Sequence, residues 1–447
     1  MDIRTGIVDI SPTYPVELAG YTQCNRVYQK IDSVLEANII LLSDEQTCLV
    51  LVGIDALFVG GSLYQLIVNN IEHNAATEKK IQVCMYSTHT HTAPALDETK
   101  PLLGEVNGEY FKHCALSISN AINELCAMND SPQLGTMAAG STDFNESIYR
   151  RKLSFVRMPR SLTYRMQCAM NPNFDVPCVK QLKLGEIRSI GGELQACIWS
   201  WPCHPITHSN PFAVSADFPG VVRRTLRTLY GNDQLPVIYL PGTAGDVRPR
   251  FIKKKNLRDY LSQPFSNLFS DSDVDLQSAF NTKLINAIKM AVQSVEEVQI
   301  DSNLTIDIKK ASTQLENIIK DFDRESLQMS LKPEIQSTHS HNETSIAPEH
   351  FVENSLTIRR ISIGPLKITD VNAELCTPYN DYNENGALSF ITGYSEDSYG
   401  YLPSDEQVDA GGYEVDGFFK YFSIKGKYLP QINQQFNALF EATAKGD

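Results

Sequence analysis

Two histidines separated by one residue, His89 and His91, are the side chains of this sequence best placed to do chemistry. They follow an apolar run at residues 81–86, which predicts a buried strand. Alternate side chains of an extended backbone point to one side, so both imidazoles should face the same way. Neutral imidazole is the commonest metal ligand of proteins and also an acid or base near neutral pH. The pair suggests a metal site in which one histidine binds the ion and the other moves protons. The alternative is a polar strand end with two hydrogen-bonded histidines.

Three further apolar runs end abruptly in small or polar residues, at residues 194–201, 236–240 and 366–371. His204 follows the first run, Asp246 the second and Glu374 the third. Strand ends that meet at one edge of a sheet would bring His89, His204 and Glu374 together. Two imidazoles and a carboxylate suit a catalytic zinc ion that keeps an open position for water.

Each of these residues also has a plainer interpretation. His204 could be a buried histidine bonded to a carbonyl group, and Glu374 competes with Asp370 and Glu384 for the carboxylate position. Asp246 lies in a glycine-rich loop, where it could orient a ligand histidine or simply form the turn. The position of His204 and Glu374 directly after strand-like runs favours the metal site.

Composition narrows the class of protein. The length of 447 residues allows one large domain or two to three ordinary ones. A net charge of −14 argues against a nucleic-acid-binding protein, because phosphate binding needs a basic surface. No apolar run approaches the roughly 18 residues of a membrane span. The ten cysteines are scattered and lie mostly in apolar runs, and no basic leader precedes an apolar stretch at the N-terminus. A cytoplasmic protein is therefore expected, with a secreted mature form as the alternative.

The order of periodic segments predicts an α/β fold of mixed sheets flanked by helices. Strands are expected at residues 37–42 and 48–54, and helices at 62–72, 109–128 and 218–230. Residues 1–447 should form a single catalytic domain that carries a polar helical excursion at about 252–346. Helices are predicted within that excursion at 283–298 and 313–331. A second histidine pair, His339 and His341, follows no apolar strand and is interpreted as a solvated loop.

Five short segments occur in the order in which one enzyme family has them. They are residues 88–94 (THTHTAP), His204 with residues 215–220 (SADFPG), residues 245–249 (GDVRP), residues 401–406 (YLPSDE) and residues 412–414 (GYE). Together they resemble the N-terminal catalytic domain of the neutral/alkaline, non-lysosomal ceramidases, whose corresponding segments include THTHSGP and GDVSPN. The resemblance extends from Gly6 to about Tyr421.

The resemblance implies a role for individual residues. The zinc ligands would be His89, His204, Glu374 and Tyr401. The residues that assist catalysis would be His91, Arg150 and Tyr413, with Arg151 as the alternative to Arg150 because the match around them is short. The implied cofactor is therefore one zinc ion, held by two imidazoles, a carboxylate and a phenol.

Two departures from the family pattern affect the predicted function. Arg248 stands where the GDVSPN segment has its serine, which excludes a serine nucleophile at that position. The chain also ends soon after the tyrosine segments, so no C-terminal immunoglobulin-like domain is expected. The sequence predicts a zinc-dependent hydrolase that cleaves a carboxamide (N-acyl) bond of a lipid such as ceramide, or of a small molecule, by metal-activated water. The alternatives are a hydrolase of a smaller, more polar amide, lactam or ester, and a non-catalytic binding protein.

Overall fold

The computed structural model describes residues 1–21, 26–71, 79–128, 130–300, 304–315, 318–320, 355–422, 424–428 and 431–445. The strands are β1 (Asp2–Asp9), β2 (Lys30–Ile31), β3 (Glu36–Ser43), β4 (Thr47–Ile54), β5 (Lys80–Ser87), β6 (Leu134–Asp143), β7 (Ser147–Arg157), β8 (Tyr164–Asn173), β9 (Gln181–Ser189), β10 (Leu194–Ser200), β11 (Ala213–Val214), β12 (Val237–Leu240), β13 (Val247–Pro249), β14 (Glu296–Val298), β15 (Ile306–Gln314), β16 (Ile318–Lys320), β17 (Ser355–Ile363), β18 (Leu366–Val371), β19 (Glu374–Leu375), β20 (Ser389–Thr392), β21 (Tyr401–Leu402) and β22 (Ile424–Gly426). The helices are α1 (Gly61–Asn69), α2 (Gly108–Ala127), α3 (Asp217–Tyr230), α4 (Leu257–Ser262), α5 (Val274–Gln293), α6 (Asp405–Ala410) and α7 (Ile432–Lys445). Short 3₁₀ turns lie at Pro101–Leu103, Thr377–Tyr382 and Phe419–Tyr421, and a π-helical turn at Tyr413–Gly417.

Two mixed sheets form the centre of the molecule. One has the strand order β1-β3-β4-β5 and the other the order β12-β10-β9-β6-β14. Each contains one parallel pair, β4 with β5 and β10 with β12. The facing sides of the two sheets bury their apolar side chains in one core, for example Ile40 and Leu51 from the first sheet and Ile198 and Ile238 from the second. The two sheets therefore pack face to face.

Helices cover the outer side of each sheet, because strand alternation makes both sides apolar. Leu41 and Val50 of the first sheet pack with Leu63 of α1 and Ile118 of α2. On the second sheet, Trp199 and other outward side chains pack with α3 and α5. The result is a helix–sheet–sheet–helix layering, which confirms the predicted α/β class with mixed sheets and flanking helices.

Smaller sheets complete the described part of the chain. A four-stranded sheet, β15-β17-β18-β20, shares the core between the two main sheets, and a three-stranded sheet has the order β13-β7-β8. Strands β19 and β21 form a short parallel pair. These smaller sheets carry three of the predicted site residues, Arg150, Glu374 and Tyr401.

The segment predicted as a helical excursion is only partly helical. The helix predicted at 283–298 is α5, which begins at Val274 and ends at Gln293; residues 296–298 instead form strand β14, because the open edge of β6 offers them backbone hydrogen bonds. The helix predicted at 313–331 is wrong where it is described, since residues 313–314 and 318–320 lie in β15 and β16. In β15, exposed and partly buried residues alternate from Lys309 to Gln314, which suits a strand that has one covered side.

Two further predictions are not tested by the structure. His339 and His341 lie outside the described residues, and the single-domain organisation stays a prediction. Within the described parts of the chain, no helix combines the length and the apolar character that a membrane span requires.

Candidate metal centre

The four predicted metal ligands come from strand ends or short strands that meet between the sheets. His89 follows β5 and His204 follows β10, while Glu374 and Tyr401 are the first residues of β19 and β21. Glu374 and Tyr401 are direct partners in the parallel register of that pair. Side chains at paired positions of neighbouring strands lie on the same face, so the register alone brings the carboxylate beside the phenol.

The backbone at His89 differs from the extended conformation that the sequence suggested. Thr88 still continues the sheet, since its N–H donates to the carbonyl of Ile54 at 2.8 Å, but His89 then turns with a φ of 62°. A left-handed conformation in a residue other than glycine costs about 1–3 kcal/mol and persists only where the surroundings enforce it. The rings of His89 and His91 nevertheless come together, with their centroids 5.0 Å apart. Their proximity was predicted correctly, but strand alternation is not its cause.

The three histidines of the site are held in the same tautomer. Each Nδ1 faces a backbone carbonyl oxygen: that of Leu57 at 2.9 Å from His89, that of Gly20 at 2.8 Å from His91 and that of Ala244 at 2.7 Å from His204. A carbonyl only accepts hydrogen bonds, so each Nδ1 carries the hydrogen and each Nε2 presents a lone pair. Backbone carbonyls commonly fix metal-binding histidines in this way.

Burial keeps these imidazoles neutral. It lowers the pKa of His89 to about 3, with further lowering from the charges of Arg150 and Lys100. Burial is also the main reason that the pKa values of His91 and His204 lie well below the ordinary histidine value. Neutral imidazole is the form that binds metal ions. The site therefore offers three unprotonated Nε2 atoms at neutral pH.

The Nε2 atoms converge on one another and on a carboxylate. Ligand atoms of His89, His91 and His204 all lie within 4.8 Å of one another. Oε2 of Glu374 lies 3.4 Å from Nε2 of His89 and 3.5 Å from Nε2 of His204. Nε2 of His89, Nε2 of His91 and Oε1 of Glu374 are buried and have no hydrogen-bond partner among the described residues. Lone pairs that face a carboxylate repel it unless a proton or a cation lies between them.

These separations fit a tetrahedral metal ion. Zinc binds imidazole nitrogen and carboxylate oxygen at about 2.0–2.2 Å, so two ligand atoms at a tetrahedral angle lie roughly 3.4 Å apart. The two histidine–carboxylate distances match that value, and so does the 3.5 Å between Nε2 of His204 and the Tyr401 hydroxyl. The residues present therefore fit a zinc ion. A histidine set of this kind also suits other transition metals.

Glu374 supplies a buried carboxylate to the site. Its side chain is only 1 % accessible to solvent. Burial raises the pKa of Glu374 to about 8, and the positive charge of Arg150 offsets this only in part. The Tyr394 hydroxyl donates to Oε2 at 3.4 Å. A nearby cation favours the ionised form of a buried carboxylate, so this position suits an anionic metal ligand.

Arg150, rather than Arg151, reaches the centre. Nη1 of Arg150 lies 3.3 Å from Nε2 of His204, and its Nη2 is buried without a hydrogen-bond partner among the described residues. Both arginines bind one buried carboxylate, since Oε1 of Glu414 accepts from Nε of Arg150 at 2.7 Å and Oε2 accepts from Nη1 of Arg151 at 2.6 Å. Arg151 also donates to the carbonyls of Gln407 and Gly411, away from the histidines.

The two predicted tyrosines lie side by side. Their ring centroids are 5.6 Å apart, and the guanidinium carbon of Arg150 lies 5.4 Å from the Tyr401 ring and 5.7 Å from the Tyr413 ring. Burial raises the pKa of Tyr401 well above its ordinary value, and the negative charge of Glu374 raises it further. The pKa of Tyr413 is also raised, mainly by burial. Both phenols therefore remain protonated donors unless a cation binds beside them.

The other carboxylates considered in the sequence analysis interact with other residues. Asp370 pairs with Arg359 and Glu384 pairs with Arg360, which leaves Glu374 as the one of the three at the histidines. The carboxylate of Asp246 does not touch a ligand histidine; its Oδ1 accepts from Thr377 and its Oδ2 from Gln407. Instead, the carbonyls on either side of it, those of Ala244 and Val247, hold Nδ1 of His204.

Several residues of the site had no signal in the sequence. Glu414, which positions Arg150, lies next to the predicted Tyr413, but nothing local marks its carboxylate as buried. Tyr394 touches both His89 and Glu374. Lys100 places its buried ammonium 4.7 Å from the centroid of the Phe58 ring, which in turn packs against His89 at 5.0 Å. All three contacts join parts of the chain that are far apart in sequence.

Comparison with known proteins identifies the fold. No family model matches the sequence, and a search of curated proteins finds no matching relative. Among solved structures, a ceramidase complexed with C2 aligns with a TM-score of 0.67 at 15 % identity, over 99 % of this chain and 75 % of that one. The neutral ceramidase from Pseudomonas aeruginosa aligns with a TM-score of 0.66 at 16 % identity, over 99 % and 74 %. The predicted resemblance is confirmed for the fold, and the chain has the fold of the neutral ceramidases.

Proposed function

We propose that this protein is a zinc-dependent hydrolase that cleaves a carboxamide bond with water as the nucleophile. One observation carries the proposal: unprotonated Nε2 atoms of His89 and His204 converge on the Glu374 carboxylate at 3.4 and 3.5 Å. Three acceptors gathered in a buried site repel one another unless a proton or a cation lies between them, and a metal ion would satisfy all three at once. The ceramidase-like fold supports the same class of reaction.

His89, His204 and Glu374 would hold the metal, and Tyr401 is the proposed fourth ligand. The geometry also admits His91, because its Nε2 belongs to the same cluster and lacks a hydrogen-bond partner among the described residues. His91 differs from the other two histidines in that the residue is partly exposed, although its Nε2 is itself buried. Its ring packs at 5.2 Å against Tyr21, which is 36 % exposed. We therefore assign His91 to the solvent side of the metal, where substrate and water arrive.

When bound, zinc supplies Lewis acidity that polarises the scissile carbonyl and lowers the pKa of water towards about 7. His91 is neutral and presents an unprotonated Nε2, so it can accept a proton from the attacking water and give it to the leaving nitrogen. Its Nδ1–H donates to the carbonyl of Gly20, which holds the ring in one orientation during both transfers. General acid–base catalysis of this kind contributes about 10²–10⁴ in rate.

Arg150 is the proposed stabiliser of the charge that develops on the carbonyl oxygen. Its Nη2 is a buried donor without a protein partner among the described residues, while Glu414 fixes the other side of the guanidinium. A preorganised donor in a buried site stabilises a tetrahedral oxyanion without reorganisation. Tyr413 lies beside Arg150 and is the second proposed donor. Arg248, which occupies the serine position of the family, stays protonated and cannot act as a nucleophile.

The proposed substrate is an N-acyl lipid of the ceramide type, because two solved structures that share this fold are ceramidases. The experiment is metal analysis of the purified protein, followed by assays on long-chain ceramide, on short-chain N-acyl compounds, and on a lactam and an ester. His204→Ala should abolish both bound zinc and hydrolysis. His113→Ala, in an exposed position of α2, is the matched control and should change neither.

The outcomes separate the alternatives. Zinc bound at one equivalent with ceramide hydrolysis supports the proposal in full. Zinc with turnover of only small polar amides, lactams or esters would replace the substrate but keep the metal chemistry. Zinc without any hydrolysis would favour a binding protein, and wild-type protein that takes up no metal would refute the metal centre.

A further inference from the structure

Exposed large hydrophobic side chains are concentrated in one small region. Thirteen of the twenty-four such side chains in the described residues belong to residues 152–175 and 248–265, which make up less than a tenth of the chain. Leu162 and Phe265 are each 83 % exposed. Single exposed apolar residues are ordinary, whereas a contiguous group marks an interaction surface. We name this region the hairpin surface, defined by residues 152–175 and 248–265.

The hairpin surface is one continuous face. Strands β7 and β8 pair antiparallel with Phe155 opposite Met166, and alternation exposes Leu153, Phe155 and Met166 on the same side while Ser154 is buried. The second segment packs along this side. The ring centroids of Phe155 and Phe265 are 6.2 Å apart, and the Tyr164 hydroxyl donates to the carbonyl of Leu261 at 2.6 Å. The apolar residues of both segments therefore adjoin.

The charge of this region is opposite to that of the molecule. Residues 152–175 and 248–265 contain ten Lys and Arg against two Asp, a formal charge of +8, whereas the whole chain carries −14. The remainder of the chain therefore carries −22. Lys254, Arg160 and Arg165 are exposed. Such separation orients the molecule in the field of an anionic surface, with this face towards it and the acidic remainder away.

The hairpin surface is joined directly to the candidate metal centre. Arg150, which contacts His204, lies on the same strand as Leu153 and Phe155. Five residues of extended strand span about 17 Å, so the apolar face begins within that distance of the metal ligands. Strand β13, which carries Val247 of the His204 support, pairs with the beginning of β7. A surface that docks here lies next to the site.

We propose that the hairpin surface docks the protein peripherally onto a lipid bilayer that contains anionic headgroups. Leu162 and Phe265 protrude, and a protruding apolar side chain suits a fluid hydrocarbon layer, which needs no preformed pocket. The basic residues around them supply attraction to anionic lipid. A second copy of the chain is a poorer occupant, because a two-fold contact through this face would bring +8 against +8. The inference builds on the proposed function, since docking would present a lipid substrate to the site.

The test is co-sedimentation of the full-length, metal-loaded protein with vesicles that contain no ceramide. Vesicles of phosphatidylcholine with about one third phosphatidylserine should bind the protein at least ten-fold better than pure phosphatidylcholine. Raising the salt to about 1 M shortens the Debye length to about 3 Å and should remove most of that difference. Because no substrate is present, the result does not depend on whether the proposed hydrolysis occurs.

Substitutions assign the binding to the surface. The double variant Leu162→Asp with Phe265→Asp should weaken vesicle binding at least about ten-fold, because it removes the two most exposed apolar side chains and adds two negative charges. Lys254→Gln with Arg160→Gln, of which Arg160 lies in the turn beside Leu162, should weaken it about five-fold per residue. Ile190→Asp is the matched control: this residue is 74 % exposed, lies outside the surface, and should leave binding unchanged.

Hydrolysis of a short, water-soluble N-acyl substrate should stay at the wild-type rate in all of these variants, which separates lost docking from lost folding. Three results would overturn the proposal. The first is wild-type protein that does not bind anionic vesicles. The second is hairpin-surface variants that bind these vesicles as well as wild type does. The third is a wild-type dimer that the double variant converts to a monomer.

Discussion

The substitution Glu414→Gln tests how the protein positions Arg150. Both oxygens of Glu414 are used, one by Nε of Arg150 at 2.7 Å and one by Nη1 of Arg151 at 2.6 Å. The three side chains are 2–4 % accessible to solvent. Glutamine preserves the shape but offers a single acceptor, and its NH₂ group then faces an arginine donor. Two buried cations would share one neutral partner.

The expected loss follows from the geometry. An ion pair at about 4 Å is worth roughly 4 kcal/mol at an effective dielectric constant near 20, and removal of one partner from a buried pair costs about 3–5 kcal/mol. Arg151 keeps its bonds to the carbonyls of Gln407 and Gly411, so the lower part of that range is expected. With an unfolding entropy of about 2.1 cal/mol/K per residue, a chain of this length should melt about 3–4 °C lower.

The stability lost in Glu414→Gln should become smaller as the pH falls. Burial raises the pKa of Glu414, but the charges of Arg150 and Arg151 more than offset this and hold it below its ordinary value. A carboxyl group whose pKa is lowered on folding stabilises the protein fully above its unfolded pKa, near 4.3, and loses that contribution as the pH falls through the folded value. The melting difference between wild type and Glu414→Gln should therefore be constant above about pH 5 and shrink below it.

Calorimetry from pH 4 to pH 8, with hydrolysis measured in parallel, tests this reasoning. The variant should lose at least ten-fold in kcat with little change in zinc content, because the proposed role of Arg150 is to stabilise charge on the substrate and not to bind the metal. Glu441→Gln, an exposed carboxylate of α7, should match wild type in all three measurements. A Glu414→Gln protein with wild-type melting and wild-type kcat would refute the assignment of Glu414 as the residue that positions Arg150.

Three further predictions concern residues around the centre. Asp246→Asn should weaken zinc binding about 10–100-fold in a competition titration, because an amide cannot accept from both Thr377 and Gln407 and the loop that holds His204 would shift. His91→Gln should retain zinc but lose about 10²–10⁴ in kcat, whereas loss of zinc would make His91 a ligand. Arg248→Ser should not raise ceramide turnover; an increase would reopen a serine mechanism.

Local sequence patterns predicted the strands of the site well. The apolar runs before His89 and His204 are the strands β5 and β10, and the helices predicted at 62–72, 109–128 and 218–230 correspond to α1, α2 and α3. Amphipathic or apolar periodicity is a property of consecutive residues, so a single sequence contains it. In the described residues of 313–331, the predicted helix failed because β-pairing with a distant partner, here β15 with β17, decided the local structure.

Local sequence patterns could not predict the contacts between residues that are distant in sequence. Glu374 could be preferred over Asp370 and Glu384 only by its place at a strand end, yet its position at the site depends on the register of β19 with β21. Glu414 meets Arg150 across more than 260 residues of sequence. Such contacts arise from topology, which no periodicity encodes, so the family resemblance supplied Tyr401 and Arg150 where residue patterns alone did not.

The surroundings of the histidines and the exposed hairpin surface are built in different ways. This difference accounts for how the fold of the neutral ceramidases can persist at 15–16 % identity. Around the histidines, the backbone carbonyls of Leu57 and Ala244 orient His89 and His204. A carbonyl is present whatever the side chain, so the residues that supply it can change freely while the ligand geometry survives. On the hairpin surface, by contrast, the exposed side chains face the solvent, where substitution need not disturb the proposed metal ligands. Sequence change should therefore be tolerated both in the residues that supply these carbonyls and on the hairpin surface, while the orientation of His89 and His204 is preserved.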